Sequence, residues 1–414
     1  MSISAPGGEG VDHGLDTEEF YEFLSRRGIG TIKVPADRWN ADAFHGTGPG
    51  QICTTTGCFI ADINWNDPQE LGINADEANQ MAITQLGALH QAFNALQRSG
   101  VDFRGTTTGV YVGCASPGRP CEPDPTECRE YYMTGSSSSI VANRISFVFD
   151  MMGPSLPVDT ACSSSLTAMH LALQAIRNGE CDQAVVAGTN AIIGPLETTS
   201  FSALGVLSPD GMSKSFDDSA NGYSRGDLMS AVVIKRHDLA VADGDYIHAT
   251  LVGSALTSCG SLMGSLTTPS AEAQILAIRN AYRDARLSPS QVDFIELHGT
   301  GTVVGDSIEA NAAGSVFSEG RNGREIIMGS VKSNIGHGEM GAYMSSLIKT
   351  VFMLENSVVL PNGFFEKPSQ KIKFQEYNLR VPVEVEKLEP ADPNNGIIAS
   401  ISSFGFGGTL LSCL

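Results

Sequence analysis

Basic residues are scarce in this chain: 26 Lys and Arg stand against 46 Asp and Glu, a formal net charge of −20. A protein that grips nucleic acid needs a basic stripe, and no segment supplies one. Long apolar runs are missing too; none approaches the ~20 residues that cross a bilayer. The opening Met1-Ser-Ile-Ser-Ala-Pro-Gly-Gly holds neither a basic nor an apolar stretch, so no secretory signal is read there. The nine cysteines (53, 58, 114, 121, 128, 162, 181, 259 and 413) contain no CxxC pair and no other zinc spacing. Their odd number points to free thiols in a reducing compartment. These absences argue against a nucleic-acid binder, a membrane-spanning protein and a disulfide- or zinc-stapled fold, and lead us to expect a cytoplasmic protein without a metal.

With 414 residues, 42% of them hydrophobic, the chain can bury a large core. Its 45 glycines imply many tight turns or close backbone approaches. Apolar spacing predicts helices at Thr17–Arg27, over about Ala75–Ser99 and from Leu166 to Ile176, the last apolar on nearly every face and therefore buried. Strands are expected at Thr108–Gly113, Gln183–Gly188 and Ala231–Lys235, and Ser136–Phe149 reads as a helix passing into an extended piece. A Pro-rich loop with Cys114, Cys121 and Cys128 spans 114–130. The turn Asp243-Gly-Asp245 suggests a boundary between residues 1–244 and 245–414. The second part repeats the plan of the first: a strand from Tyr246, a helix at Ser270–Ala285, and strands at Asp293–Leu297 and Ile326–Gly329. Such alternation predicts α/β layers around largely buried sheets.

Chemistry concentrates at four places. Val158-Asp-Thr-Ala-Cys162-Ser-Ser-Ser puts a cysteine where a strand turns into a buried helix, and helix N-terminal amides favour thiolate there. Taken alone, such a cysteine is usually packing. Glu296-Leu-His298-Gly-Thr-Gly-Thr302 and Val331-Lys-Ser-Asn-Ile-Gly-His337-Gly-Glu339 place histidines on loops of small residues after strands, and Ser402-Ser-Phe-Gly-Phe406-Gly-Gly408 is Gly-rich. Each has an ordinary reading as a hydrogen-bonded histidine, a solvated lysine or a turn. Together they suit thioester chemistry: a cysteine to hold an acyl group, two imidazoles to stabilise an enolate, and amides at Cys162 and Phe406 to form an oxyanion hole.

In this order the four motifs resemble the β-ketoacyl synthase (ketosynthase) family, most of all the ketosynthase domains of type I polyketide synthases and animal-type fatty acid synthases. Val34-Pro-Ala-Asp-Arg-Trp39, Ala142-Asn-Arg-Ile-Ser146, Leu207-Ser-Pro-Asp-Gly211 and Gly301-Thr-Val-Val-Gly-Asp306 extend the resemblance over almost the whole chain. It implies a thiolase-like fold, five-layered αβαβα with two pseudo-symmetric halves, in a homodimer. It also implies that Cys162 takes an acyl chain, while His298 and His337 assist decarboxylation of malonyl or methylmalonyl on an acyl carrier protein. By the same match Lys332 supports His337 electrostatically, Glu339 joins its hydrogen-bond network, and Phe406 gates the acyl channel. Gly405, Thr300 and Thr302 support the site. No intrinsic cofactor is implied beyond the carrier's phosphopantetheine arm; the implied partners are the carrier protein and an acyltransferase domain.

The chain departs from the family pattern in four respects. The chain starts at Met1-Ser-Ile-Ser-Ala-Pro-Gly-Gly, where most of the family's opening strand is expected to be absent, and the last motif runs only to Leu414, so the terminal strands are expected to be clipped and their ladder partners unpaired. Asp-Pro-Gln-Gln-Arg reads Ala82-Ile-Thr-Gln-Leu86. The family's Gly-Asp-Pro-Ile-Glu-Ala reads Gly305-Asp-Ser-Ile-Glu-Ala310, and its Gly-Glu-Gly reads Gly226-Asp-Leu228. Clipped ends keep open a second reading, a non-catalytic dimerising scaffold for another synthase; a third is a transacylase or thioesterase that uses Cys162 without condensation.

Overall fold

The computed structural model describes residues 1–61, 68–115, 129–262 and 267–413; most of the Pro-rich loop, with Cys121 and Cys128, lies outside them. The first part holds β1 (Ser2–Ser4), β2 (Thr31–Lys33), β3 (Thr56–Cys58), β4 (Gly109–Gly113), β5 (Ser155–Val158), β6 (Gln183–Asn190) and β7 (Leu228–Lys235). The second holds β8 (Ser254–Ser258), β9 (Phe294–Glu296), β10 (Ile326–Gly329), β11 (Val358–Val359), β12 (Leu379–Arg380), β13 (Glu386–Lys387), β14 (Ala399–Phe404) and β15 (Thr409–Cys413).

Two mixed sheets carry the molecule, ordered β1-β7-β6-β4-β5 and β12-β10-β9-β14-β15-β8. In the first, β1 and β6 flank β7 antiparallel, and β6, β4 and β5 run parallel. In the second, β8 and β14 flank β15 antiparallel, and β14, β9 and β10 run parallel. Read from β8, the second sheet repeats the strand order and directions of the first, and β12 adds a sixth strand parallel to β10. Helices Ser164–Asn178 and Ala342–Asn356 pack together between the sheets, Ile83–Ser99 and Ser138–Phe149 cover the outer face of the first sheet, and Ala271–Ala285 lies on that of the second. Helix, sheet, helix, sheet, helix gives the five layers of the thiolase-like fold.

The terminal segments, short as they are, form strands. Ser2, Ile3 and Ser4 pair with Ala231, Ser230 and Met229, and β15 pairs along both edges, so the expected unpaired ladders do not arise. Three other expectations are corrected. The helix over 75–99 is two, Ala75–Ala78 and Ile83–Ser99, because Ala82 turns extended and gives its N–H to Gly135 O at 2.8 Å. Ser138–Phe149 stays helical to its end, where Asp150 caps it in the left-handed region. The strand expected from Tyr246 begins at Ser254. Among the described residues no helix is long and apolar enough to cross a membrane.

The central layer is the deepest core: Leu166, Met169, Ala172, Met344 and Ile348 are all fully buried. Glycine lets these helices sit directly on the first sheet. A Cβ at Gly113 of β4 would lie 2.5 Å from the Ser165 nitrogen, and one at Gly188 of β6 would lie 2.8 Å from Met344 Cγ. Ser165 is three residues from Cys162, so this contact sets the height of the cysteine above the sheet. Gly113→Ala is expected to lower the free energy of unfolding by about 1–3 kcal/mol, as overpacked cores do. A urea midpoint equal to that of the unmodified protein would show that the helix is not seated by this contact.

Candidate active site

The turn that carries Cys162 is built from its own side chains. After β5, Asp159 Oδ1 accepts the Ala161 N–H at 3.0 Å, and Ala161 takes a left-handed conformation, φ 55°. Thr160 N–H donates to Ser164 Oγ at 2.9 Å, and the Thr160 hydroxyl lies 3.0 Å from Ser163 Oγ and 2.8 Å from Thr167 Oγ1. The serines after the cysteine thus fold the turn back onto the helix start. From the other half, Ser403 Oγ donates to Cys162 O at 3.0 Å. Gly405 is required beside it, because a Cβ there would lie 2.4 Å from Thr160 O. The sheet ladder between β14 and β15 therefore presses the Phe406 turn against the cysteine.

Cys162 Sγ and one ring nitrogen from each of His298 and His337 all lie within 4.8 Å of one another. The two imidazoles meet edge to face, with centroids 5.3 Å apart. His337 Nδ1 accepts the Glu339 N–H at 2.9 Å, so the neutral ring carries its proton on Nε2, which is buried and without a hydrogen-bond partner among the described residues. His298 Nδ1 faces the Phe404 N–H at 3.5 Å, which favours the same tautomer. Burial drives both imidazoles well below the ordinary histidine range, and the nearby Lys332 charge adds to this.

Buried carboxylates brace the two loops. Glu309 accepts the His298 and Gly299 N–H groups at 2.7 and 2.8 Å, and burial raises its pKa to about 8. Asp306 accepts the Gly301 N–H at 3.0 Å and the Phe216 N–H at 2.8 Å, and burial raises it to about 6. Lys332 is buried, and desolvation lowers its pKa against the opposing pull of Glu296 and Glu309. Glu339 sits at φ 43°, with Oε2 3.8 Å from Cys162 Sγ and Oε1 3.4 Å from Arg225 Nε.

The expectation of a resting thiolate is corrected: burial first, then the Glu339 carboxylate, push the Cys162 thiol up, with Lys332 opposing. The thiol lies ahead of the helix rather than on its first turn, since the helix begins at Ser164 with Ser163 as its cap. All the other residues singled out in sequence sit around this centre. Thr300 and Thr302, 3.1 Å apart through their hydroxyls, line the same cavity of about 190 Å³, as do Gly405 and Phe406. Phe406 is 50% exposed and marks where the cavity meets solvent. Phe201, Leu204 and Val206 form an apolar wall beyond the cysteine.

Reading the sequence missed Glu309, Arg225, Tyr223 and the Glu296–Lys349 pair as parts of the site. Glu309 lay in a quoted motif without a role. Lys349 offered a clearer signal, as one lysine inside the apolar helix Ala342–Asn356, which calls for a buried partner.

Known proteins place this arrangement. Residues 1–240 match the N-terminal domain of β-ketoacyl synthases and residues 248–366 the C-terminal domain. The chain belongs to the β-ketoacyl synthase family. It is 36% identical over 99% of its length to a highly reducing polyketide synthase of Strobilurus tenacellus, and 39% identical over 99% to a phenolphthiocerol/phthiocerol polyketide synthase of Mycobacterium bovis. It spans only 14% and 22% of those two proteins. In structure it is similar over its full length to the ketosynthase from module 6 of the bacillaene synthase of Bacillus subtilis 168 (TM-score 0.89, 31% identity, 70% of that chain). The oxazolomycin ketosynthase OzmH KS7 of Streptomyces albus JA3453 gives a TM-score of 0.91 at 30% identity, over 72% of that chain.

The histidines also set a pH dependence. Their folded pKa values are depressed, so below about 6.5 the unfolded chain binds protons that the folded site refuses. The stability they contribute is full above that pH and is lost as pH falls, by up to about 1.4 kcal/mol per pH unit for each ring. Urea titrations between pH 7.5 and 5.5 should show a fall that is shallower in His298→Gln/His337→Gln; equal slopes would mean that the rings protonate freely in the fold.

Proposed function

We propose that the chain catalyses decarboxylative condensation: an acyl group held as a thioester on Cys162 is joined to malonyl or methylmalonyl carried on an acyl carrier protein. The observation that carries this reading is the convergence of one thiol and two neutral imidazoles in one cavity with an apolar wall. The Cys162 thiol displaces the carrier thiol from the incoming thioester. The phosphopantetheine arm of the extender carrier then enters past Phe406, along Thr300 and Thr302. As its carboxylate leaves as CO₂, charge gathers on the thioester oxygen, where the Nε2–H groups of His298 and His337 donate. Neutral rings suit this role, because they donate without holding a product anion as tightly as imidazolium would. The enolate carbon attacks the acyl-Cys162 carbonyl, whose oxyanion falls to the N–H groups of Cys162 and Phe406. Collapse of that intermediate breaks the carbon–sulfur bond, releases the β-ketoacyl carrier and leaves the Cys162 thiolate to take a proton and return to the thiol. Lys332 and Glu309 keep the histidine loops in place.

The wider assignments belong to the same proposal. The acyl carrier protein and an acyltransferase domain serve the site, in the same polypeptide or in trans, in polyketide or fatty-acid synthesis in the cytoplasm. The chain divides at 244/245, a reading supported by the matching topologies on either side. It works as a homodimer. This is supported by β5, which ends the first sheet with Leu156 46% exposed, beside Met152 at 65% and Phe147 at 86%.

Incubation with an acyl thioester and malonyl-carrier should yield acyl label on Cys162 and a β-ketoacyl carrier. Cys162→Ala should lose both. His298→Ala and His337→Ala should still take the label while condensation falls at least about 100-fold, the scale of one lost oxyanion donor. A folded protein that takes no label, or that condenses as well without either histidine, would refute the assignment.

A further inference from the structure

The mechanism leaves open where the Cys162 proton goes. A neutral histidine could accept it only through a free ring lone pair. His337 spends its Nδ1 lone pair on the Glu339 N–H, so its Nε2 is a donor. His298 is turned the same way by the Phe404 N–H. Each ring therefore offers the thiol a proton rather than a place to put one. The acceptor beside the thiol is Glu339, whose Oε2 lies 3.8 Å from Sγ, within reach of an S–H···O contact. Both groups are buried.

We propose that Glu339 is the proton acceptor for Cys162 in the acyl-loading step. The inference rests on the condensing-enzyme reading above. Cys162 S–H gives its proton to Glu339 Oε2 as sulfur bonds to the acyl carbon. The carbon–sulfur bond to the carrier then breaks, and the carboxylic acid returns the proton to the departing thiolate. One thioester is exchanged for another, one thiol for another, and nothing is oxidised or reduced.

The surroundings fit a base held ready. Arg225 Nε meets Oε1 at 3.4 Å, and Arg225 is anchored in turn by Glu197 at 2.6 Å and Thr198 at 3.0 Å. Tyr223, whose ring is tilted against that of His337 with centroids 5.1 Å apart, donates to the same carboxylate. The groups facing Glu339 are thus Arg225, Tyr223, Glu197, His337 and Cys162, with Lys332 acting on the thiol from the other side. Burial raises the Glu339 carboxyl above its usual range, with Arg225 opposing, which brings its basicity nearer that of the thiol. The left-handed backbone at φ 43° is a strained pose for a glutamate, held because the Nδ1 contact and the carboxylate position both depend on it.

The test is single-turnover acylation of Cys162 by an acyl N-acetylcysteamine thioester, followed by mass spectrometry from pH 5.5 to 9.5. The unmodified protein should rise and then level off as Glu339 ionises, instead of climbing with thiolate formation. Glu339→Gln should be about 100-fold slower at pH 7, the low end of general-base effects, and should quicken about tenfold per pH unit as free thiolate forms. A Glu339→Gln protein within threefold of the unmodified rate, with the same profile, overturns the inference alone. So does an unmodified protein whose rate climbs without a plateau to pH 9.5, a result that needs no variant to fold. A protein that takes up no acyl group on Cys162 at any pH overturns the condensing-enzyme reading and this inference with it.

Discussion

Glu296 and Lys349 face each other at 2.8 Å with neither side chain exposed to solvent. A pair buried this deeply gains little net stability, but removing one partner strands a charge and typically costs ~3–5 kcal/mol. Its importance lies in what it joins. Glu296 ends β9, two residues before His298. Its second oxygen accepts the Val331 N–H at 2.6 Å, one residue before Lys332. Lys349 comes from the central helix Ala342–Asn356, which begins five residues after His337. One carboxylate therefore fixes the strand end, the lysine segment and the helix against one another. The loops that carry both histidines are measured from that point.

From this fixed point the histidine tautomers follow without further choice. The bracket of Glu309 on the His298 and Gly299 amides sets that loop, and the Glu339 amide sets the other ring. In both cases a backbone N–H occupies or faces Nδ1, so the cavity receives Nε2–H. Burial and Lys332 then keep the rings uncharged. Two imidazolium ions with centroids 5.3 Å apart would repel, and the site would oppose its own protonation. Neutral donors and a protonated thiol are the resting state this arrangement favours, which is why the base for the thiol must be sought elsewhere than in the rings.

The residues proposed to act on substrate were legible in the sequence, because chemistry limits which side chains can do the work and places them on small-residue loops after strands. Cys162, His298 and His337 stood out that way, whereas Lys332 was picked out only by the family resemblance. The braces were less legible. Glu309 and Arg225 act through contacts spanning 10 and 114 positions, to the His298 and Glu339 segments respectively, and no local pattern announces such a pairing. Boundaries failed where a tertiary bond replaced a local one, as at Ala82, whose N–H goes to Gly135. The thiolate expectation failed for a related reason: it counted a favourable helix end and could not count the burial of the thiol.

The departures at 226–228 show how such distant contacts absorb change. Asp227 is fully buried, yet it pairs with Arg38 at 2.9 Å and accepts the Ile60 and Ile192 N–H groups at 3.0 and 2.7 Å. A carboxylate so supplied needs no particular side-chain length, provided that Arg38 can follow it. Leu228 fills space that a glycine would leave open, and the opposite wall is correspondingly bare. A Cβ on Gly338 would stand 3.0 Å from Leu228 Cβ, and one on Gly341 would stand 3.2 Å from Leu228 Cδ2. Gly338 directly follows His337. The leucine and the glycines are thus two sides of one packing solution, and the histidine keeps its position because volume added on one strand is matched by volume absent from the loop it touches.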